Sequence, residues 1–375
     1  MKPLYTILLT LLAALALVWG ITSLGDMTAP KGDYVPFTLY SEVVGDFASL
    51  DNRDGEGTRY YDYAGREYTD SEFDSILPSF YYRQLVMDGR LPDSIRGIAV
   101  DQGLLERESF IFVSHPASLN THETPLYFLL ESMSKRVNLE MPEDVFRFTD
   151  RRIEFVNMES NSIEEEKSAL YQRALEEKGV TFPIRLVAGN PTTRKPYDNG
   201  YLLVDAADRL YQLRQTVGRP FVRPIDLPEG VRPEYLFVTE YPSKRFLGFV
   251  IDREGSLYVI RLPEYRLQRA DLPALRMREE KLTILGNPFF WTVIQSDAEG
   301  AEYTALDAQT LAGVKSLHFD TSGGRTFADY VVPFQLRFES GEYNYLHPTV
   351  SQFSWIGTLV WLLAISGIAW YRRRK

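Results

Sequence analysis

Four histidines, one short acidic loop and a recurring aspartate are the groups in this 375-residue sequence with the types to do chemistry. His115 and His122 lie seven apart with Pro116 between them, which is not a metal-ligand spacing on one helix. His318 and His347 are isolated in the sequence. Asp51-Asn52-Arg53-Asp54-Gly55-Glu56-Gly57 has the outline of a cation loop. Arg53, however, stands where a second oxygen ligand is needed, and the distal Glu is missing. It reads as a plain acidic loop. Paired carboxylates for glycoside hydrolysis would suit a β-rich tunnel, but among 51 acidic residues the sequence singles out no pair. There is no cysteine, so thiolate chemistry and disulfides are excluded. The G-x-S-x-G elbow, H-E-x-x-H and the phosphate-binding G-x-x-x-x-G-K-[ST] are missing as well. The expectation is a chain with no catalytic residue, no metal ligand and no cofactor.

The aspartates recur in a spaced pattern, D-x-x-[G/D]-x-x-Y. It occurs as Asp62, Gly65 and Tyr68; as Asp205, Asp208 and Tyr211; as Asp252, Gly255 and Tyr258; and as Asp297, Gly300 and Tyr303. A ring of calcium-binding carboxylates would need several convergent oxygens, and one Asp per turn does not supply them. The pattern instead describes a structural turn in a β-hairpin. Asp ends a strand and bonds backbone groups two residues on, Gly or Asp takes φ > 0, and Tyr opens the return strand. Gly255 and Gly300 are therefore expected to matter through their backbone.

The spacing of these turns suggests the elements that hold them. Asp205 to Asp252 is 47 residues and Asp252 to Asp297 is 45. A period of roughly 40–50 residues with about four strands per unit is the propeller signature. Strands are expected at 210–213, 221–225, 235–239, 246–251, 257–262, 265–269, 282–285 and 290–294, with degenerate blades upstream at 110–113, 127–130, 145–148 and 153–156. Two helices interrupt the pattern. One starts at a Thr69–Glu72 capping box and runs towards Met87 with a break at Pro78. The other, from about Ser162 to Lys178, carries only a thin apolar stripe and reads as a solvated insertion. The expected fold is mainly β, with propeller-like repeats of four-stranded units of about 45–47 residues, inserted helices and a transmembrane helix on each flank.

Those flanks are two uncharged apolar runs, 4–24 and 353–371. At ~1.5 Å rise per residue each is long enough to cross a ~30 Å hydrocarbon core. The first is too long for the core of a signal peptide and lacks a convincing A-x-A site, so it is expected to stay as an anchor. Ala16-x-x-x-Gly20 would let a partner helix approach closely. Lys2 precedes the first run and Arg372, Arg373, Arg374 and Lys375 follow the second, which puts both termini in the cytoplasm and the intervening domain, 25–352, outside it. Within that domain, 34–97 is expected to form an N-terminal subregion and 98–340 the propeller-like region. The domain holds 36 basic and 51 acidic residues, a net charge of −15. Nucleic acid, which requires a basic footprint, is disfavoured as a partner.

Three stretches, Tyr61–Thr69, Phe73–Pro78 and Tyr81–Ile95, resemble an uncharacterised family of Bacteroidetes membrane proteins built on a large domain of unknown function. The resemblance runs from about residue 34 onward. Its association with ABC-transporter genes implies an envelope location and a membrane transport partner such as an ABC-type permease. It carries no catalytic residues to transfer. The sequence thus reads as a non-enzymatic protein of the bacterial inner membrane, its periplasmic β-rich domain a scaffold or binding module accessory to transport. The alternatives are a ligand sensor acting through partner helices and a periplasmic hydrolase.

Overall fold

The computed structural model describes residues 2–28, 34–52, 57–121, 124–133, 137–195, 197–297, 299–321, 327–340, 346–351 and 353–374. Two compact units are present: 36–295 with 302–317, and 1–35 with 296–301 and 318–375. Helix α1 (Lys2–Thr28) leads into a four-stranded antiparallel meander of β1 (Phe37–Tyr40), β2 (Phe47–Asp51), β3 (Arg59–Asp62) and β4 (Glu67–Tyr68). Helices α2 (Asp70–Ile76) and α3 (Tyr82–Met87) follow. Thr69 and Glu72 close the capping box in both directions, and the chain leaves α2 just before Pro78, which cannot donate a helical N–H.

A two-residue pair, β5 (Ser94–Ile95) and β6 (Ile98–Ala99), precedes α4 (Gln102–Glu108), β7 (Phe110–Ser114) and α5 (Pro116–Asn120). The hairpin β8 (Asp144–Phe148) and β9 (Ile153–Asn157) precedes α6 (Glu165–Glu177). Three sheets then come in succession. The first holds β10 (Leu186–Gly189), β11 (Tyr201–Val204), β12 (Leu210–Thr216) and β13 (Arg219–Ile225). The second holds β14 (Pro233–Val238), β15 (Phe246–Asp252), β16 (Leu257–Arg261) and β17 (Arg266–Arg269). The third holds β18 (Lys281–Gly286), β19 (Phe290–Ser296), β20 (Gly300–Asp307) and β21 (Gly313–Asp320). Helix α7 (Ala328–Val331), the hairpin β22 (Gln335–Ser340) and β23 (Leu346–Ser351), and α8 (Trp355–Arg374) complete the chain.

The fold is mainly β, built from four- and five-stranded antiparallel sheets in sequence order. In the larger unit the sheets pack face to face in succession. Leu202, Val204 and Leu210 of the first meet Leu247, Val250 and Ile260 of the second in one buried cluster. Phe249, Ile251 and Val259 of the second meet Ile284, Trp291 and Val293 of the third in another. The N-terminal meander joins the third sheet: the rings of Tyr40 and Phe290 lie 4.8 Å apart, and Tyr40 N donates to Thr292 Oγ1 at 3.0 Å. Each fully buried aliphatic or aromatic side chain contributes roughly 1.5–3 kcal/mol.

Three expectations change. The upstream strands are not blades. Instead β7 adds to β18 as a fifth strand of the third sheet, because the alternation of Phe110-Ile111-Phe112 sends both Phe rings inward. Phe110 lies 5.1 Å from Trp291, and Phe112 4.8 Å from Phe249. β8 and β9 stay a two-stranded hairpin, and 127–130 forms no strand beyond a single bridge from Tyr127 to Phe146. Second, α6 is no solvated insertion. Tyr171 and Leu175 are fully buried with Phe146, Phe155 and Leu203, since one apolar residue per turn is enough when its neighbours are aromatic.

Third, among the described residues no helix is long and apolar enough to cross a membrane, so the expectation of two spans, 4–24 and 353–371, is not supported there. Part of α1 is committed to protein: Val18 and Thr22 are buried, Val18 against Ala328, Val332 and Leu336. Helix α8 has 20 residues, and its last three are arginines. Several side chains of both helices lie outside the described set, as do His122 and residues 53–56 of the acidic loop.

Candidate functional site

Three of the four aspartate turns, at Asp62, Asp205 and Asp252, are built alike. Asp62 Oδ1 accepts the N–H groups of Ala64 and Arg66, at 3.0 and 2.9 Å, while Oδ2 takes the Tyr68 hydroxyl at 2.6 Å. Asp205 Oδ1 accepts from Ala207 and Arg209 N–H, both at 2.9 Å, with the Tyr211 hydroxyl on Oδ2 at 3.4 Å. Asp252 Oδ1 accepts from Glu254 and Ser256 N–H. At Tyr68 and Tyr211 the hydroxyl six residues on returns to the carboxylate, a role that ring packing alone does not convey. Burial pushes the Tyr68 hydroxyl up to about 12, and the Asp62 carboxylate adds to it.

The fourth position of the pattern takes φ +94° at Gly65, +58° at Asp208 and +82° at Gly255. Gly300 departs from that expectation, as it is not among the residues with positive φ. Asp297 makes a tighter turn, accepting from Glu299 and Gly300 N–H, and Gly300 is needed because a Cβ would meet Phe319 O at 2.6 Å. Asp205, Asp252 and Asp297 join the second and third strands of their sheets, whereas Asp62 joins the third and fourth of its own. Each carboxylate accepts the N–H groups of its own turn, and Asp205 takes Thr181 N–H as well. Among the described residues no group of His, Asp and Glu could hold a metal ion.

A cavity of about 350 Å³ lies between β1, the segment after α2, and the paired strands β7 and β18. Glu42 forms its chemical centre. The turn after β1 puts it there: Ser41 Oγ accepts Val44 N–H at 2.9 Å, and Gly45 takes φ +74°. Its carboxyl, 3 % exposed as a residue, accepts the Ser79 N–H at 2.8 Å. The helix break at Pro78 makes that N–H available. Burial holds the Glu42 carboxyl above its ordinary range, against the smaller opposing pull of the Ser79 hydroxyl and N–H. No basic side chain pairs with it among the described residues.

The remaining lining is apolar, chiefly Leu39, Leu77, Phe80, Phe110 and Leu285. Two further polar atoms lie on this wall: Ser109 Oγ is buried and completes no hydrogen bond, and the Ser79 hydroxyl acts on the Glu42 carboxyl. Thr292 Oγ1 and Asn287 Oδ1 are already engaged, the former by Tyr40 N–H and the latter by the N–H groups of Phe289 and Phe290. Buried polar groups left unmatched inside an apolar pocket are the ordinary mark of a ligand site. Glu106, exposed, also lines the cavity, as does Arg83.

Replacing Glu42 with Gln keeps an acceptor for Ser79 N–H and removes a buried charge. We expect a gain of about 1 kcal/mol at pH 8, measured by denaturant unfolding of the full chain. A carboxyl whose folded pKa is raised stabilises the fold below its unfolded value and loses that contribution as pH rises. The advantage of Gln should therefore shrink on acidification. A variant no more stable than the parent at pH 8 would refute this account.

A second buried polar cluster is structural. Lys195 Nζ reaches Asp198 Oδ1 at 2.6 Å and Glu240 Oε1 at 2.8 Å, and Asn190 Nδ2 donates to Glu240 Oε2. It ties the loop after β10 to the loop after β14. Its ions have partners, so nothing in it calls for a ligand.

The sequence pattern nominated the turns but not the cavity. Glu42, Ser79 and Ser109 sit in no motif, and only Pro78 hinted that backbone near Ser79 would be free. A family described as a domain of unknown function, DUF4857, matches residues 37–306. The chain belongs to the DUF4857 family. That match spans the N-terminal meander, the cavity and all but the end of the three successive sheets.

No curated protein matches the sequence. Among solved structures, this DUF4857 chain is similar to the β-propeller domain of Myceliophthora thermophila Cps50 (Swd1), at 12% identity, 58% of this chain, 61% of that one and TM-score 0.29. It is also similar to hydrazine synthase of Kuenenia stuttgartiensis, at 11% identity, 58% and 54% coverage and TM-score 0.27. A third likeness is to PorZ, a surface component of the type-IX secretion system of Porphyromonas gingivalis, at 10% identity, 84% and 39% coverage and TM-score 0.24. The chain spans about three fifths or less of the length of the first two. At such scores these likenesses carry no argument.

Proposed function

We propose that this protein is a non-enzymatic binding module whose β domain lies outside the cytoplasm, anchored at the bacterial inner membrane and accessory to a membrane transport complex. The observation that carries the binding role is the apolar cavity with its buried, cation-free Glu42 and the unmatched Ser109 hydroxyl. One buried carboxyl without a buried partner favours binding over glycoside hydrolysis, whose usual form uses two carboxyls in defined roles. The face-to-face succession of four-stranded sheets supports a propeller-like arrangement, with the cavity between first strands where loops and strand edges converge on a ligand.

The anchoring reading rests on α1 and α8. Leu8, Leu11, Leu12 and Leu15 are exposed on the first, and Leu359, Leu362, Leu363 and Ile365 on the second. Surfaces so apolar require cover, and the basic residues beyond them favour a cytoplasmic side for both termini. Because the chain contains no cysteine, single cysteines report cleanly. A membrane-impermeant maleimide, with the outer membrane permeabilised, should label Met87→Cys, which is 83 % exposed, and spare a cysteine appended after Lys375. Labelling of both, or of the tail alone, would refute the orientation. The transport role is tested by purifying the intact protein from its native membranes after cross-linking. Stoichiometric recovery of a permease supports it, and recovery of the chain without one refutes it.

A further inference from the structure

We infer that the cavity takes the ammonium group of a small organic amine with an apolar body, an inference that rests on reading the cavity as a binding site. Glu42 presents a carboxyl with no basic partner, buried at the wall of a cavity that is otherwise mostly apolar. An unpaired carboxylate there is costly, and a cation delivered by the ligand offsets that cost. An ammonium also brings three N–H donors. The cavity offers it the Glu42 carboxyl together with Ser79 Oγ and Ser109 Oγ, the latter a hydroxyl with no hydrogen bond of its own. An anion finds no such welcome, because the guanidinium on the lining, Arg83, already donates to the Tyr82 hydroxyl and feels Glu106.

The walls fit the same class. Tyr40, Phe80, Tyr82 and Phe110 contribute rings to the lining, and aromatic faces attract organic cations more than neutral isosteres. The volume, about 350 Å³, is at the small end of ligand pockets, which points to a compact amine. The net charge of −15 on the domain steers cations towards it.

Benzylammonium and benzyl alcohol, alike in shape and different in charge, make the probe pair. Isothermal titration calorimetry on the full chain in nanodiscs at pH 7.5 should give a Kd at least tenfold tighter for benzylammonium. Glu42→Gln in the same nanodiscs should erase that advantage while leaving the alcohol unaffected. Equal affinities in the parent, or an undiminished preference in Glu42→Gln, overturn the ammonium assignment. If saturable binding of both probes is then lost in Ser109→Phe, which fills the cavity, the binding-site reading stands without it. Absence of saturable binding of either probe to the parent overturns both.

Discussion

Asp205→Ala is expected to cost the fold about 2–4 kcal/mol, because it leaves buried backbone donors without an acceptor. Asp205 is fully buried, and its two oxygens organise both its own turn and the Thr181 backbone. Oδ1 holds the N–H groups of Ala207 and Arg209. Oδ2 takes Thr181 N–H at 3.0 Å and both Nε and Nη2 of Arg209. Alanine would leave the buried backbone donors without this acceptor, at about 1–3 kcal/mol for each lost bond, while the half-exposed Arg209 guanidinium keeps Gly179 O and water. Chemical unfolding followed by circular dichroism measures the loss; a change below about 1 kcal/mol would refute the account. Asp205→Asn adds a pH test. Burial alone would raise the Asp205 carboxyl, but the N–H groups of Arg209 and Thr181 and the Arg209 guanidinium hold it below the ordinary range. Stability from a depressed pKa is present above the unfolded value and is lost as pH falls through the folded one. The Asn variant should therefore show a flatter acid limb.

Gly255→Val should be comparably severe, about 3–5 kcal/mol, for two separable reasons. The residue sits at φ +82°, where a β-branched side chain is strained by about 1–3 kcal/mol. Its Cβ would also lie 2.7 Å from Leu275 O and 2.8 Å from Leu275 N, backbone atoms fixed by the bond from Leu275 N to Gly255 O. Overpacking against backbone adds about 1–3 kcal/mol. Gly65→Val is the control. It shares the positive φ, at +94°, but has open space around the new side chain. Equal losses at the two sites would show that the contact with Leu275 contributes nothing.

The difference between those glycines marks what the sequence could and could not convey. The D-x-x-[G/D]-x-x-Y spacing announced a turn because turn chemistry is local: Asp205 and Tyr211 meet within six residues. The strands between 201 and 296 were legible for the same reason, as short apolar runs punctuated by those turns. Leu275, twenty residues beyond Gly255, lies outside any such window. So do the partners of the cavity, where Glu42 meets Ser79 across 37 residues and faces strands near 110 and 285. The burial of α6 was hidden too, since a thin stripe such as Tyr171 and Leu175 matches solvent exposure as well as packing until its aromatic neighbours are known.

The fifth strand of the last sheet sets a constraint on the order of folding. β7 pairs with β18, Phe110 with Gly286 and Ser114 with Leu282, so closing that pair confines a loop of some 170 residues. Closure entropy grows only slowly with length, by about 0.6 kcal/mol per doubling. The delay is greater than the thermodynamic cost suggests, because pairings this distant in sequence form late. During synthesis Phe110 and Phe112 must wait for Trp291 to appear, while the first meander waits for Phe290 and Thr292. An N-terminal fragment ending before residue 280 would expose an unpaired strand edge beside two uncovered aromatic rings, conditions that invite association between nascent chains.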